Sequence, residues 1–205
     1  MRLLRPTLQL VRANLGAYLV MNAVMYGVAL VGMGVGLAFP HLTAANEATL
    51  NADGTTDLVM SLLSNVWLFA ATIFAVNVGT VALPMILLPS LVVPFLGIAL
   101  AGYKAYGLGI ALAPVNDVLM TTLIPHSLTI LIEFQAYVLV MFAAYLLGRA
   151  WLRPQSVGAD TRRRGYLRGL RQVGWISLPA LALFVVGAVY EAFELIYIVP
   201  PMLVG

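Results

Sequence analysis

Glu133, Glu191, Glu194, Lys104 and His126 sit inside or at the edge of apolar runs long enough to cross a membrane. Carboxylates with an imidazole serve three kinds of chemistry. They hold a divalent metal such as zinc that activates water, they relay protons or ions, or they pair with a lysine and pin helices together. An ionisable side chain at bilayer depth is costly unless paired or hydrated, so such residues mark a working site.

Their spacing narrows the options. His126 and Glu133 are seven residues apart and share a helix face, yet stand about 10 Å apart along it, too far to reach one ion unaided. Glu191 and Glu194 are three apart and point into one groove, where His126 reaches the higher of the two, Glu194. The hydrolase reading makes Glu133 and His126 catalytic and His126, Glu133, Glu191 and Glu194 the metal ligands. Against it, the chain has no HExxH pattern. The other histidine, His41, lies in a connection, and zinc usually takes more nitrogen or sulfur ligands. Ser127 is no partner for His126, because adjacent helical residues diverge by about 100°. Asn77, deeper and uncharged, suits a hydrogen bond between helices, and Asn116 and Asp117 suit a loop or helix cap.

Positioning these groups requires a membrane bundle. Apolar residues make up 62% of the 205 positions and charged ones 9%, against about 25% charged in soluble domains. The expected architecture is an all-α integral membrane protein, a single membrane domain over 1–205. Its bundle has about five transmembrane helices at roughly 15–38, 58–83, 91–112, 125–149 and 174–199. The apolar run at 15–38 exceeds the roughly 7–15-residue core of a signal peptide, so the first helix is expected to stay. Gly32 and Gly36 form a GxxxG step that admits a neighbouring backbone. Pro84, Pro89 and Pro94 recur at five-residue spacing without charge between spans two and three. A re-entrant hairpin and an ordinary short loop both fit them.

Charge is segregated. Seven arginines fall between Arg149 and Arg171, and Arg2, Arg5 and Arg12 lie at the N-terminus, whereas 40–57 carries no base. The positive-inside rule then sets a multi-pass protein of the cell membrane with the N-terminus and the 150–173 loop cytoplasmic and the C-terminus outside. A short surface helix fits 160–171. With the helices side by side, Glu133, Glu191 and Lys104 each lie about 12 Å below the outer face and Glu194 about 7 Å. Three helices thus contribute one polar layer, in which Lys104 compensates one carboxylate. No aromatic platform accompanies the basic stretch, so nucleic acid is not an expected partner. The chain has no cysteine, which removes thiolate nucleophiles and disulfides.

Residues 70–195 resemble the stage II sporulation protein M family of bacterial and archaeal membrane proteins. The resemblance rests on Phe74-Ala-Val-Asn77, the glycine-studded segment from Gly97 to Gly109, Ile124-Pro125-His126 followed by Glu133, and Glu191-Ala-Phe. Ser127 stands where the family's Pro-His-Gly has glycine, and Lys104 lies near the place of a usual Asn-Gly. The resemblance implies a small five-span protein working beside partners. These are peptidoglycan hydrolases in envelope remodelling, or an ATP-driven exporter in bacteriocin maturation and export. Asn77, Pro125, His126, Glu133 and Glu191 are the motif residues it carries. Three readings follow: a non-enzymatic component assembling with membrane lipids and other membrane or envelope proteins, with homo-oligomers left open; an intramembrane metal-dependent hydrolase or peptidase; and an ion- or proton-coupled carrier.

Overall fold

Prolines, glycines and capping side chains divide the apolar chain into helices, and the computed structural model describes residues 4–204. Of the basic N-terminal residues, Arg2 lies outside the described residues. Helix α1 (Arg5–Ala13) opens with Pro6 in its first turn, where a missing amide is harmless. The Thr7 hydroxyl donates to the Trp175 carbonyl at 2.8 Å. Helix α2 (Leu15–Ala38) ends at Phe39. Two shorter helices follow, α3 (Pro40–Ala52) and α4 (Thr55–Leu62). They meet at Gly54, whose φ of 80° suits glycine.

The Asn65 side chain accepts from the Trp67 and Leu68 amides at 3.2 and 3.1 Å and starts α5 (Val66–Val92). From Asn77 to Leu87 this helix winds in the wider π form, which absorbs Pro84, before its last turns at Leu88–Val92. A tight turn at Val93–Phe95 leads to α6 (Leu96–Ala111). The Asn116 side-chain oxygen then accepts from the Leu119 amide at 2.8 Å and caps α7 (Asp117–Leu152). A 3-10 turn at Pro154–Val157 connects to α8 (Arg162–Leu203), which has a π stretch at Glu194–Ile198.

Among the described residues every element is helical, and α2, α5, α7 and α8 are long and apolar enough to cross a membrane. That marks an all-α membrane protein. The span expected at 91–112 folds as the 16-residue apolar α6, about 24 Å long and shorter than the ~20 residues typical of a span. The span expected at 58–83 starts at Val66, because Asn65 caps it and 55–62 fold as a separate helix. It continues through Pro84 and Pro89 to Val92, so these prolines lie within α5 and form no re-entrant hairpin. Residues expected outside the spans, 117–124 as a connection and 160–171 as a short surface helix in the cytoplasmic loop, instead extend α7 from Asp117 and α8 from Arg162 without a break.

Helix α7 is the axle, with every residue from Ala136 to Ala144 buried. Helix α8 returns antiparallel along it. Gly165 faces the Ala150 carbonyl and Gly169 faces Leu147, close approaches that a larger residue would block. Helices α2 and α6 interlock by the same means. A Cβ on Gly32 would meet the Tyr106 carbonyl, one on Gly36 would meet Ala113 and Ile110, and one on Gly109 the Ala29 carbonyl. The bundle is polarised: α1, the end of α7 and the start of α8 carry arginine at one end, while Glu47, Asp53, Asp57 and Asp117 lie at the other.

Candidate functional site

One face of α7 carries His126, Thr129, Glu133 and Tyr137 at helical intervals of three and four residues. Helix α8 brings Glu191 and Glu194 against that face, and α5 brings Asn77. Two linked groups result.

In the upper group, Glu194 is fully buried and both its oxygens are engaged. Oε1 lies 3.0 Å from His126 Nδ1, and Oε2 accepts the Thr129 hydroxyl at 2.6 Å. The Tyr190 hydroxyl donates to the Pro125 carbonyl at 3.3 Å and holds the helices together at this level.

In the lower group, the Asn77 amide donates to Glu133 Oε1, and its carbonyl oxygen accepts the Tyr137 hydroxyl at 2.9 Å. Gly187, one turn before Glu191, leaves the space that the Glu133 side chain fills.

These groups edge a cavity of about 320 Å³. Its polar side chains include Asn77, His126, Glu133 and Glu191, its walls are mainly apolar, and Leu58, Val59 and Leu62 of α4 border it on the acidic side. Glu194 is absent from the lining and supports His126 from behind. A mostly apolar cavity with a few convergent polar groups is the usual form of a small-ligand site. The exposed acceptors suit a ligand that brings hydrogen-bond donors and an apolar body.

The geometry does not fit a metal centre. Among the described residues no group of three or more His, Asp or Glu side chains stands where it would hold a metal ion. The physical reason is that His126 is paired with Glu194 and Glu133 with Asn77, so the four side chains do not converge on one point. Lys104 also departs from expectation. It is partly buried beside Met25, Val81, Ile86, Ala101 and Tyr137. Among the described residues it forms no ion pair within 4.0 Å, the one pair in this region being His126–Glu194. His41 lies on α3, packed edge-on against Phe39 at 6.1 Å and apart from the cluster.

Thr129 and Tyr137 were not singled out by sequence reasoning, although their spacing from His126 and Glu133 was a usable signal. A second polar network also went unread. The Gln135 amide donates to Asn22 at 2.7 Å and to the Tyr26 hydroxyl at 3.0 Å, and its carbonyl oxygen accepts the Tyr18 hydroxyl at 2.8 Å. This network ties α2 to the other flank of α7.

No protein-family model, curated protein or solved structure matches the chain. The likeness to stage II sporulation protein M therefore rests on the motif residues alone.

Proposed function

We propose that this chain is a non-enzymatic component of the cell membrane whose cavity receives an amphipathic, donor-bearing group from a partner. In this reading α6 is the shortest of five spans, the arginine-rich end is cytoplasmic and the cavity lies toward the outer face. The setting is the one implied by the resemblance to stage II sporulation protein M: envelope remodelling with peptidoglycan hydrolases, or peptide maturation and export with an ATP-driven exporter. The observation carrying the proposal is the convergence of Asn77, His126, Glu133 and Glu191 on one largely apolar cavity.

The test places a photoreactive residue at Ile130, which lines the cavity, or at Leu131, which is exposed on the bundle surface. Crosslinking in native membranes is expected to capture a defined partner from position 130 and not from 131. Leu108→Trp, which fills the cavity from α6, is expected to abolish that capture while the protein stays folded. Equal capture from both positions, or capture unaffected by Leu108→Trp, rejects the proposal.

The two acids that border the cavity, Glu133 and Glu191, favour a second reading, an ion- or proton-coupled carrier, because intramembrane carboxyl groups facing a cavity suit ion and proton pathways. In liposomes, Glu133→Gln would then abolish pH-driven flux while the fold persists. Flux that survives Glu133→Gln rejects the carrier.

A further inference from the structure

At the end of the bundle opposite the cavity, the turn at Val93–Phe95 stands over the last turns of α7. Between them lies a cleft of about 290 Å³ lined by Phe95, Tyr145, Arg149, Leu152 and Arg153. We propose that this cleft clamps the phosphate head group of an anionic membrane lipid, with Arg149 and Arg153 as its ligands.

Charge is the first argument. Arg149 lies in the last turn of α7 and Arg153 is the residue that ends it, so two like charges border one cleft. Among the described residues no carboxylate lies within 4.0 Å of either. Two other arginines at this end have internal partners: Arg164 pairs with Asp160 at 3.1 Å, and Arg168 donates to the Val157 carbonyl at 2.7 Å. Arg149 differs, because its Nε is buried without a hydrogen-bond partner while its guanidinium stacks over the Tyr145 ring at 5.7 Å. A buried donor without an acceptor is destabilising. The planar guanidinium fork matches phosphate oxygens in pairs.

Shape is the second. Phe95 adopts a left-handed conformation with φ of 69°, uncommon for a residue with a side chain. That conformation packs its ring 6.0 Å from Tyr145 and against Gly148, where even a Cβ would collide with it. The aromatic wall of the cleft is thus held in place by a strained turn, as recurs at ligand clamps. The Tyr166 hydroxyl, donating to the Leu91 carbonyl at 3.1 Å, ties the end of α5 just before that turn to α8.

The surroundings identify a lipid as the occupant and not a free anion. Val92, Val93 and Leu96 beside Phe95 are exposed, as is Leu152 in the cleft itself. Trp151 packs edge-on against Tyr166 at 5.1 Å, and such amphipathic rings are favoured at a membrane surface. A head group between the arginines would leave its acyl chains on this apolar flank. Basic pockets between spans are an established form of anionic head-group site.

Retention of phosphatidylglycerol, phosphatidylcholine and acyl-free glycerol phosphate by the purified full-length protein tests this, with native mass spectrometry in detergent at 0.15 M salt. At that ionic strength charges more than ~8 Å away are screened. The wild type is expected to prefer phosphatidylglycerol over both other probes. R149Q/R153Q is expected to weaken it about tenfold or more, and R162Q/R163Q, exposed and outside the cleft, less than about twofold. R149K/R153K keeps the charge but not the fork, and an intermediate loss is expected if R149Q/R153Q fails to fold. Equal loss in the cleft and surface pairs, full retention by R149K/R153K, no preference over phosphatidylcholine, or equal binding of glycerol phosphate each overturns the proposal.

Discussion

Gly187 on α8 lies so close to Glu133 on α7 that a Cβ at position 187 would stand 3.0 Å from the Glu133 Cγ. The acid's place is therefore set from the neighbouring helix as much as from its own. In Gly187→Ala a helix-propensity gain of up to about 1 kcal/mol opposes the crowding, so thermal stability in detergent should change little. In Gly187→Leu overpacking prevails, with an expected loss of about 1–3 kcal/mol. Both should alter crosslinking from Ile130, because both displace Glu133.

The interlock of α2 and α6 separates three glycines by their surroundings. Gly32 and Gly109 abut backbone carbonyls, which cannot turn aside, whereas Gly34 has no neighbour within 4 Å. Gly32→Ala and Gly109→Ala should each lose about 1–3 kcal/mol through overpacking. Gly34→Ala should be neutral or gain up to about 1 kcal/mol. Denaturation of the three variants under one set of conditions checks the contrast.

Glu194 relies on two donors from a single helix. Removing the Thr129 hydroxyl in Thr129→Val should cost about 1.5–3 kcal/mol, the range for a bond to a charged group. His126→Phe should cost more, because the imidazole also borders the cavity and the buried carboxylate is left with Thr129 alone. A double-mutant cycle on these positions should show non-additivity of at least about 0.5 kcal/mol. Additive losses would mean that the two donors act independently.

Among the described residues Lys104 has no carboxylate within 4.0 Å, so Lys104→Met should shift stability by less than about 1 kcal/mol. Removing one member of a buried ion pair would instead cost about 3–5 kcal/mol. Urea or thermal unfolding distinguishes the two outcomes clearly.

Asp53 caps the turn before α4, accepting from the Thr55 amide at 2.9 Å. The Thr55 side chain and amide hold its carboxyl below the usual aspartate range. A depressed folded value means the capped turn is favoured above the unfolded pKa and loosens as pH falls through the folded one. The Thr55 amide resonance should therefore stay constant from neutral pH to about pH 5 and move only below the ordinary aspartate value near 4. Asp53→Asn should remove that transition.

Much of this arrangement was legible where a local rule governs it. The Asn116 cap follows from residue type at a helix start, and the Gly32–Gly36 step from the need of helices to approach closely in lipid. Helix ends were less legible. The segment at 162–173 is charged enough to resemble a loop, and Asp117 with Pro114 and Pro125 brackets 117–124 as a connection, yet they continue α8 and α7. A composition window finds where hydrocarbon ends, not where the helix does. Thr129, Tyr137 and Gln135 were hidden for another reason. Their residue types are ordinary on any helix, and their roles depend on which helix stands opposite. Lys104 shows the reverse: its charge suggested a partner, and similar depth did not bring one within reach.

The wider winding of α5 and α8 begins at Asn77 and at Glu194, each a member of the polar cluster. Removing one residue from 78–87 would let α5 revert to ordinary pitch and swing everything beyond it by about 100°. The turn at Phe95 would then face away from Arg149 while Asn77 kept its grip on Glu133. Chain length within that stretch thus phases the two ends of the molecule against each other, so a deletion there would damage the arginine cleft and spare the acidic one.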